Sequence, residues 1–167
     1  MDSSIKKFEN LIEDLSRKHK VVQHSDDKCH FASTLDDAQN KHARKMHYPC
    51  VLLDKGDFTY SSVGADIGKR RTVTLLFVDH CKDVGNSKMI DGIFDSMEGV
   101  CDDFMKKLME LSRSSAPSNR FLKRFSLEGV EGTRIVLESP ALYGWAVIIQ
   151  QADILCPQDG EESPWLE

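Results

Sequence analysis

The chain has 167 residues, 40% of them apolar and 29% charged, with a formal net charge of −5. That is the composition of one globular domain. The acidic balance argues against a dedicated nucleic-acid-binding domain, which would carry a basic face. The longest apolar runs, Leu75-Leu76-Phe77-Val78 and Trp145 to Ile149, fall far short of the ~20 residues of a membrane-spanning helix.

Met1-Asp2-Ser3-Ser4 leads into an amphipathic segment of mixed charge, without the basic and apolar regions of a signal peptide, which predicts a reducing, cytoplasmic setting. The five cysteines, Cys29, Cys50, Cys81, Cys101 and Cys156, are odd in number and widely spaced, which is not a disulfide framework.

In residues 3–18, Ile5, Phe8, Leu11, Ile12 and Leu15 recur at steps of three and four, which predicts an amphipathic helix capped by Ser3 or Ser4. Lys20 to His24 and Cys29 to Ala32 read as two short strands around a turn at Ser25-Asp26-Asp27-Lys28. Thr34 then caps a short helix that ends near Lys45. Tyr48-Pro49 breaks any helix. Cys50 to Leu53 reads as a strand, Lys55-Gly56-Asp57 as a turn, Phe58 to Ser61 as the next strand and Gly64 to Gly68 as a loop. Arg71 to Asp79 is the strongest strand. Its second half is apolar on both faces, which predicts a central position.

Residues 86–113 predict a long helix capped by Asn86 or Ser87, with one apolar stripe from Met89 to Leu111. Gly92, Ser96 and Gly99 lie together on a second face. They admit two readings, close packing on the protein's own sheet or close approach by a neighbouring subunit. Phe121, Phe125 and Leu127 share alternate positions with Lys123, which predicts a half-buried strand. Thr133 to Leu137 and Trp145 to Gln150 complete the set. The order predicts an α+β domain over residues 1–156, with a mostly antiparallel sheet and the N-terminal and long helices on one face. Residues 157–167 form an acidic tail.

Site chemistry is sparse. Gly64 to Arg71 has glycines and a lysine, but its spacing is one residue short of a phosphate loop and it precedes a strand, not a helix. His42 and His47 miss the spacing that puts two ligands on one helical face, and His80-Cys81 is an isolated neighbour pair. Cys81 or Cys50 could be a nucleophile beside a distant histidine, yet no local signature accompanies either. Glu98, Asp102, Asp103 and Glu110 read as the wet face of the long helix. No catalytic, cofactor-binding or metal-ligating residue is therefore assigned. Two basic clusters stand out in an acidic chain: Lys69-Arg70-Arg71, and Arg120 with Lys123 and Arg124. With Gly92 and Gly99 they are the candidate contacts with partners or neighbouring subunits.

Taken in order, several features resemble bacteriophage tail-terminator and tail-completion proteins, of the kind found in prophages of Bacteroides-like gut bacteria. They are the helix Ser4 to Lys18, Tyr48-Pro49-Cys50-Val51-Leu52-Leu53-Asp54, the basic loop, the strand Thr72 to Asp79, Ile93-Phe94-Asp95-Ser96-Met97-Glu98 on the long helix, and the closing strand from Gly144-Trp145. The resemblance covers residues 4 to 152. It implies a non-enzymatic structural protein, without cofactor or membrane contact, that forms a ring, commonly a hexamer, at the head-proximal end of the tail tube. Its partners would be itself, the tube protein and head–tail connector proteins, with sequence-independent DNA contact in a pore. It would assemble in the bacterial cytoplasm and end in the virion tail. The alternatives are a stand-alone binding module, adaptor- or immunity-like, and an enzyme built around Cys81 and His80.

Overall fold

The computed structural model describes residues 4–33, 46–63, 66–123, 125–138 and 140–155. The first helix, α1, runs Ser4–Lys18. Its predicted stripe turns inward, and Phe8 and Ile12 are fully buried. On its outer face Arg17 meets Glu13 at 2.8 Å and Lys18 meets Asp14 at 2.6 Å, both one helical turn apart. Glu9 is the exception, a buried carboxylate held by Lys6 at 3.1 Å and Lys55 at 3.0 Å.

The expected strand at 20–24 does not form. The chain instead folds back on the end of α1, with the His24 amide donating to the Ser16 carbonyl at 3.0 Å. Of the two adjacent valines, Val22 is buried and Val21 is exposed. A single plugging side chain, not an alternating row, is what this segment supplies. The expected short helix from Thr34 to Lys45 and the acidic tail lie outside the described residues.

The strands are β1 (Cys29–Ala32), β2 (Met46–Asp54), β3 (Phe58–Val63), β4 (Asp66–His80), β5 (Gly132–Glu138) and β6 (Ala141–Leu155). They form one mixed, mostly antiparallel sheet in the order β1-β2-β4-β6-β5, with β3 also paired to β4. Among the described strands, only β1 and β2 run parallel. β4 is central, as its apolar character predicts. Val73, Leu75 and Phe77 face the helices, while Leu76 and Val78 join Ala32, Cys50, Leu52 and Leu142 in a second cluster on the opposite face.

β2 and β3 are nearly one strand. Both lie along the same side of β4, but the register passes from Asp54↔Thr74 to Phe58↔Arg71, so three residues of one strand face two of the other. The extra residue is a β-bulge at the expected Lys55-Gly56-Asp57 turn. Gly56 has φ +47° there, and the Asp57 carbonyl accepts from the Thr72 amide at 3.1 Å. The expected loop at 64–68 is shorter than its glycines suggest: β4 already begins at Asp66.

The long helix, α2, runs Ser87–Ser112, and the Asn86 side chain accepts from the Met89 amide at 3.1 Å. Ile93, Phe94, Met97, Val100, Phe104 and Leu108 are its buried face, packed across β4 and β6. Phe104 meets Phe77 edge-on at 5.2 Å. The Trp145 Nε1–H donates to the Phe94 carbonyl at 2.9 Å and pins β6 to the helix.

A 3-10 helix, Pro117–Leu122, stands where a strand was expected from Phe121 onward. Pro117 presets its first turn. The fully buried residue is Leu122, out of step with the alternation of Phe121, Lys123, Phe125 and Leu127, and Phe125 follows it three residues later. That spacing belongs to a helical turn, not a strand.

Candidate functional site

Two strands of fifteen residues each, β4 and β6, decide where the exposed chemistry lies. Their register runs unbroken from His80↔Leu142 to Ile67↔Leu155. The helix-facing core ends at Val73 and Ile149. Beyond it the first part of β4, the last part of β6 and β3 continue as a three-stranded arm.

Alternation along β4 splits the predicted Lys69-Arg70-Arg71 cluster. Lys69 and Arg71 share the face of Val73, and on the neighbouring strand Tyr60 stands opposite Lys69 and Phe58 opposite Arg71. The ammonium of Lys69 sits 4.1 Å from the centre of the Phe58 ring and 5.6 Å from that of Tyr60, and the Arg71 guanidinium 4.9 Å from that of Phe58. Phe58 is 44% exposed and Tyr60 60% exposed. The two rings meet nearly edge-to-face at 5.3 Å. The four side chains form a layered surface of alternating cation and ring, with cation–π attraction holding the cations in place. Arg71 also donates to the Gly56 carbonyl at 3.1 Å, so one of its jobs is to hold the bulge.

Arg70 points to the other face, as the alternation requires. There it lines an open cleft of about 650 Å³ with Glu128, Glu131, Thr133, Ile148 and Gln150. Arg120 sits exposed in the 3-10 helix and Lys123 exposed just after it, while Arg124 lies outside the described residues. The two basic clusters thus stand on separate elements.

Gly92 and Gly99 are exposed on α2, and a Cβ added to either would meet nothing within 4 Å. Close packing on the protein's own sheet is therefore not the reason for these glycines. The sheet-facing stripe is Ile93, Met97, Val100 and Phe104, and the glycines stand off it.

Two of the described thiols, Cys50 and Cys101, are shifted away from nucleophile character. Burial pushes the Cys101 thiol up to about 11, with Asp102 and Glu98 adding to it, and burial pushes Cys50 higher still. A reactive cysteine needs the opposite shift. Cys81 is buried, with its Sγ donating to the Asp83 carbonyl at 3.2 Å, and the His80 ring is stacked on Tyr48. Among the described residues, no three His, Cys, Asp or Glu side chains are placed to share a metal ion.

Sequence reasoning missed two groupings. The Phe58–Tyr60 pair was legible only as part of a strand; its signal is two aromatics at alternate positions on a strand whose partner carries cations at alternate positions. The other is His19 with Asp103, where Nε2 lies 3.3 Å from the carboxylate. The Val21 amide donates to His19 Nδ1, so the proton sits on Nε2 and points at Asp103. This pair ties the end of α1 to α2 across more than eighty residues of sequence, and nothing local announces it.

No protein-family model and no curated protein matches the chain.

Proposed function

We propose that the protein is a structural subunit of a phage or prophage tail, a terminator that assembles as a ring on the head-proximal end of the tail tube. The observation that carries this reading is the arm. Large exposed rings on a sheet extension mark a protein contact surface. Phe58 and Tyr60 remain 44% and 60% exposed beside Lys69 and Arg71. Aromatic residues and arginine are the types enriched where proteins meet. The raised thiol pKa values of Cys50 and Cys101 add support for a structural role over thiol catalysis.

On this reading the arm meets a neighbouring subunit or the tube protein, and the exposed cations Arg70, Arg120 and Lys123 are available to a head–tail connector or to DNA in the pore, through contacts that weaken with salt. Gly92 and Gly99 leave an open strip on α2 that a second surface could approach closely.

Light scattering across concentration, with negative-stain imaging, tests the proposal. Closed rings, alone or on added tube protein, are the expected result. A monomer that neither assembles nor binds tube protein overturns it and favours a stand-alone binding module.

A further inference from the structure

The arm has a feature that the ring reading alone does not use. β6 runs outward along it and reaches Leu155, opposite Ile67, at the arm's far end. The residues that follow, 157–167, include Asp159, Glu161, Glu162 and Glu167, no lysine or arginine, and the pair Trp165-Leu166. The chain therefore delivers an acidic segment with one large aromatic anchor at the end of an arm whose face offers cations and exposed rings. The two compositions are complementary: carboxylates for Lys69 and Arg71, and Trp165 for the Phe58–Tyr60 surface.

We propose that residues 157–167 of one copy dock on the Phe58–Tyr60–Lys69–Arg71 face of the next copy. Direction selects a neighbour over the same chain. β6 leaves the body pointing outward, so the segment starts at the arm's tip and must reverse to lie on its own arm. Twelve residues beyond Leu155 reach about 40 Å when extended, enough to cross to an adjacent subunit. The contact is head-to-tail, with different surfaces on its two sides. Contacts of that kind close into rings or propagate as filaments. The inference rests on the reading of the chain as a self-assembling subunit and names the contact that would join its copies.

The test uses full-length chains in sedimentation velocity: the natural protein, Lys69→Glu, the double variant Glu161→Lys with Glu162→Lys, and a 1:1 mixture of the two variants. Far-UV circular dichroism checks that each variant folds. Each variant alone is expected to associate about tenfold more weakly at low salt. In the mixture, the variant with the altered arm keeps a natural segment, and the other keeps a natural arm. One contact can then form, and heterodimers appear that neither variant makes alone.

Variants that assemble like the natural chain, or a mixture that shows no heterodimer, overturn the proposal. Rings that persist in both variants leave the ring reading standing and remove this contact. Open dimers or short chains that respond to the variants sustain the contact and remove the ring.

Discussion

A Cβ on Gly56 would lie 2.2 Å from the carbonyl oxygen of Thr72 on the facing strand. Gly56 also has φ +47°, a backbone region that costs other residues energy. The bulge joining β2 to β3 thus depends on this one glycine twice, for conformation and for space. Gly56→Ala should lower stability by about 2–4 kcal/mol. Urea denaturation checks this: the midpoint should fall with an unchanged slope.

Gly92→Ala and Gly99→Ala should do the opposite. Both positions are helical and open, so alanine gains helix propensity without a clash. Each change should raise stability by about 0.5–1 kcal/mol. Thermal melts of the isolated subunit measure that gain. If a neighbour approaches this strip, the same variants will assemble less well while melting higher, a combination that no purely internal role produces.

Neighbouring cations on β4 should differ in what they hold. Arg71 donates to the Gly56 carbonyl and covers Phe58, so Arg71→Ala should cost about 1–2 kcal/mol. Lys69 contacts only ring faces among its described partners, and Lys69→Ala should stay within about 0.5 kcal/mol. Chemical denaturation of the two variants side by side separates the bulge-holding cation from the surface one.

Acid should destabilise the fold in two stages. Burial, then the charge of Arg17, hold His24 below the usual histidine value, outweighing the Glu13 carboxylate 3.5 Å away. The unfolded chain protonates His24 near 6.5 and the folded chain only at lower pH. Its contribution is therefore complete above 6.5 and shrinks as pH falls through the folded value. For Glu9, burial works to raise the pKa, but hydrogen bonds from Ser33, Lys55 and Lys6 prevail and it ends lowered. Its contribution is complete above the usual 4.5 and lost as pH falls through the lower folded value. Denaturation midpoints between pH 3 and 8 should show both losses. His24→Gln should flatten the upper one and Glu9→Gln the lower one. A natural chain equally stable at pH 5 and 7 contradicts the His24 assignment.

What the residues announced in advance was periodicity. α1 and α2 carry long stripes at helical spacing, and β4 carries apolar residues on both faces; each formed close to where that pattern lies. The errors fell where one buried residue outweighed a pattern. Val22 is a plug at a helix end, and Leu122 is the inward residue of a 3-10 turn, so local alternation in both segments pointed to strands that do not exist. The parallel pairing of β1 with β2 was also hidden, because partner choice depends on where residues 29–32 are carried in space and not on their own composition. At the candidate site, the basic run was visible but its division between two faces was not. Phe58 and Tyr60 acquired meaning only when the bulge fixed which residues of β4 they oppose.

The uninterrupted pairing of β4 with β6 has a mechanical consequence. A force applied to the arm along its strands is shared by the whole hydrogen-bonded ladder from Ile67↔Leu155 to His80↔Leu142, because the bonds lie across the direction of pull and must fail together. The same strands enter the core at Val73 and Ile149, and deeper in it the Trp145 indole is bonded to α2. The arm is therefore loaded in shear and anchored in the core, and a tug on its tip is carried straight into the packing of the long helix.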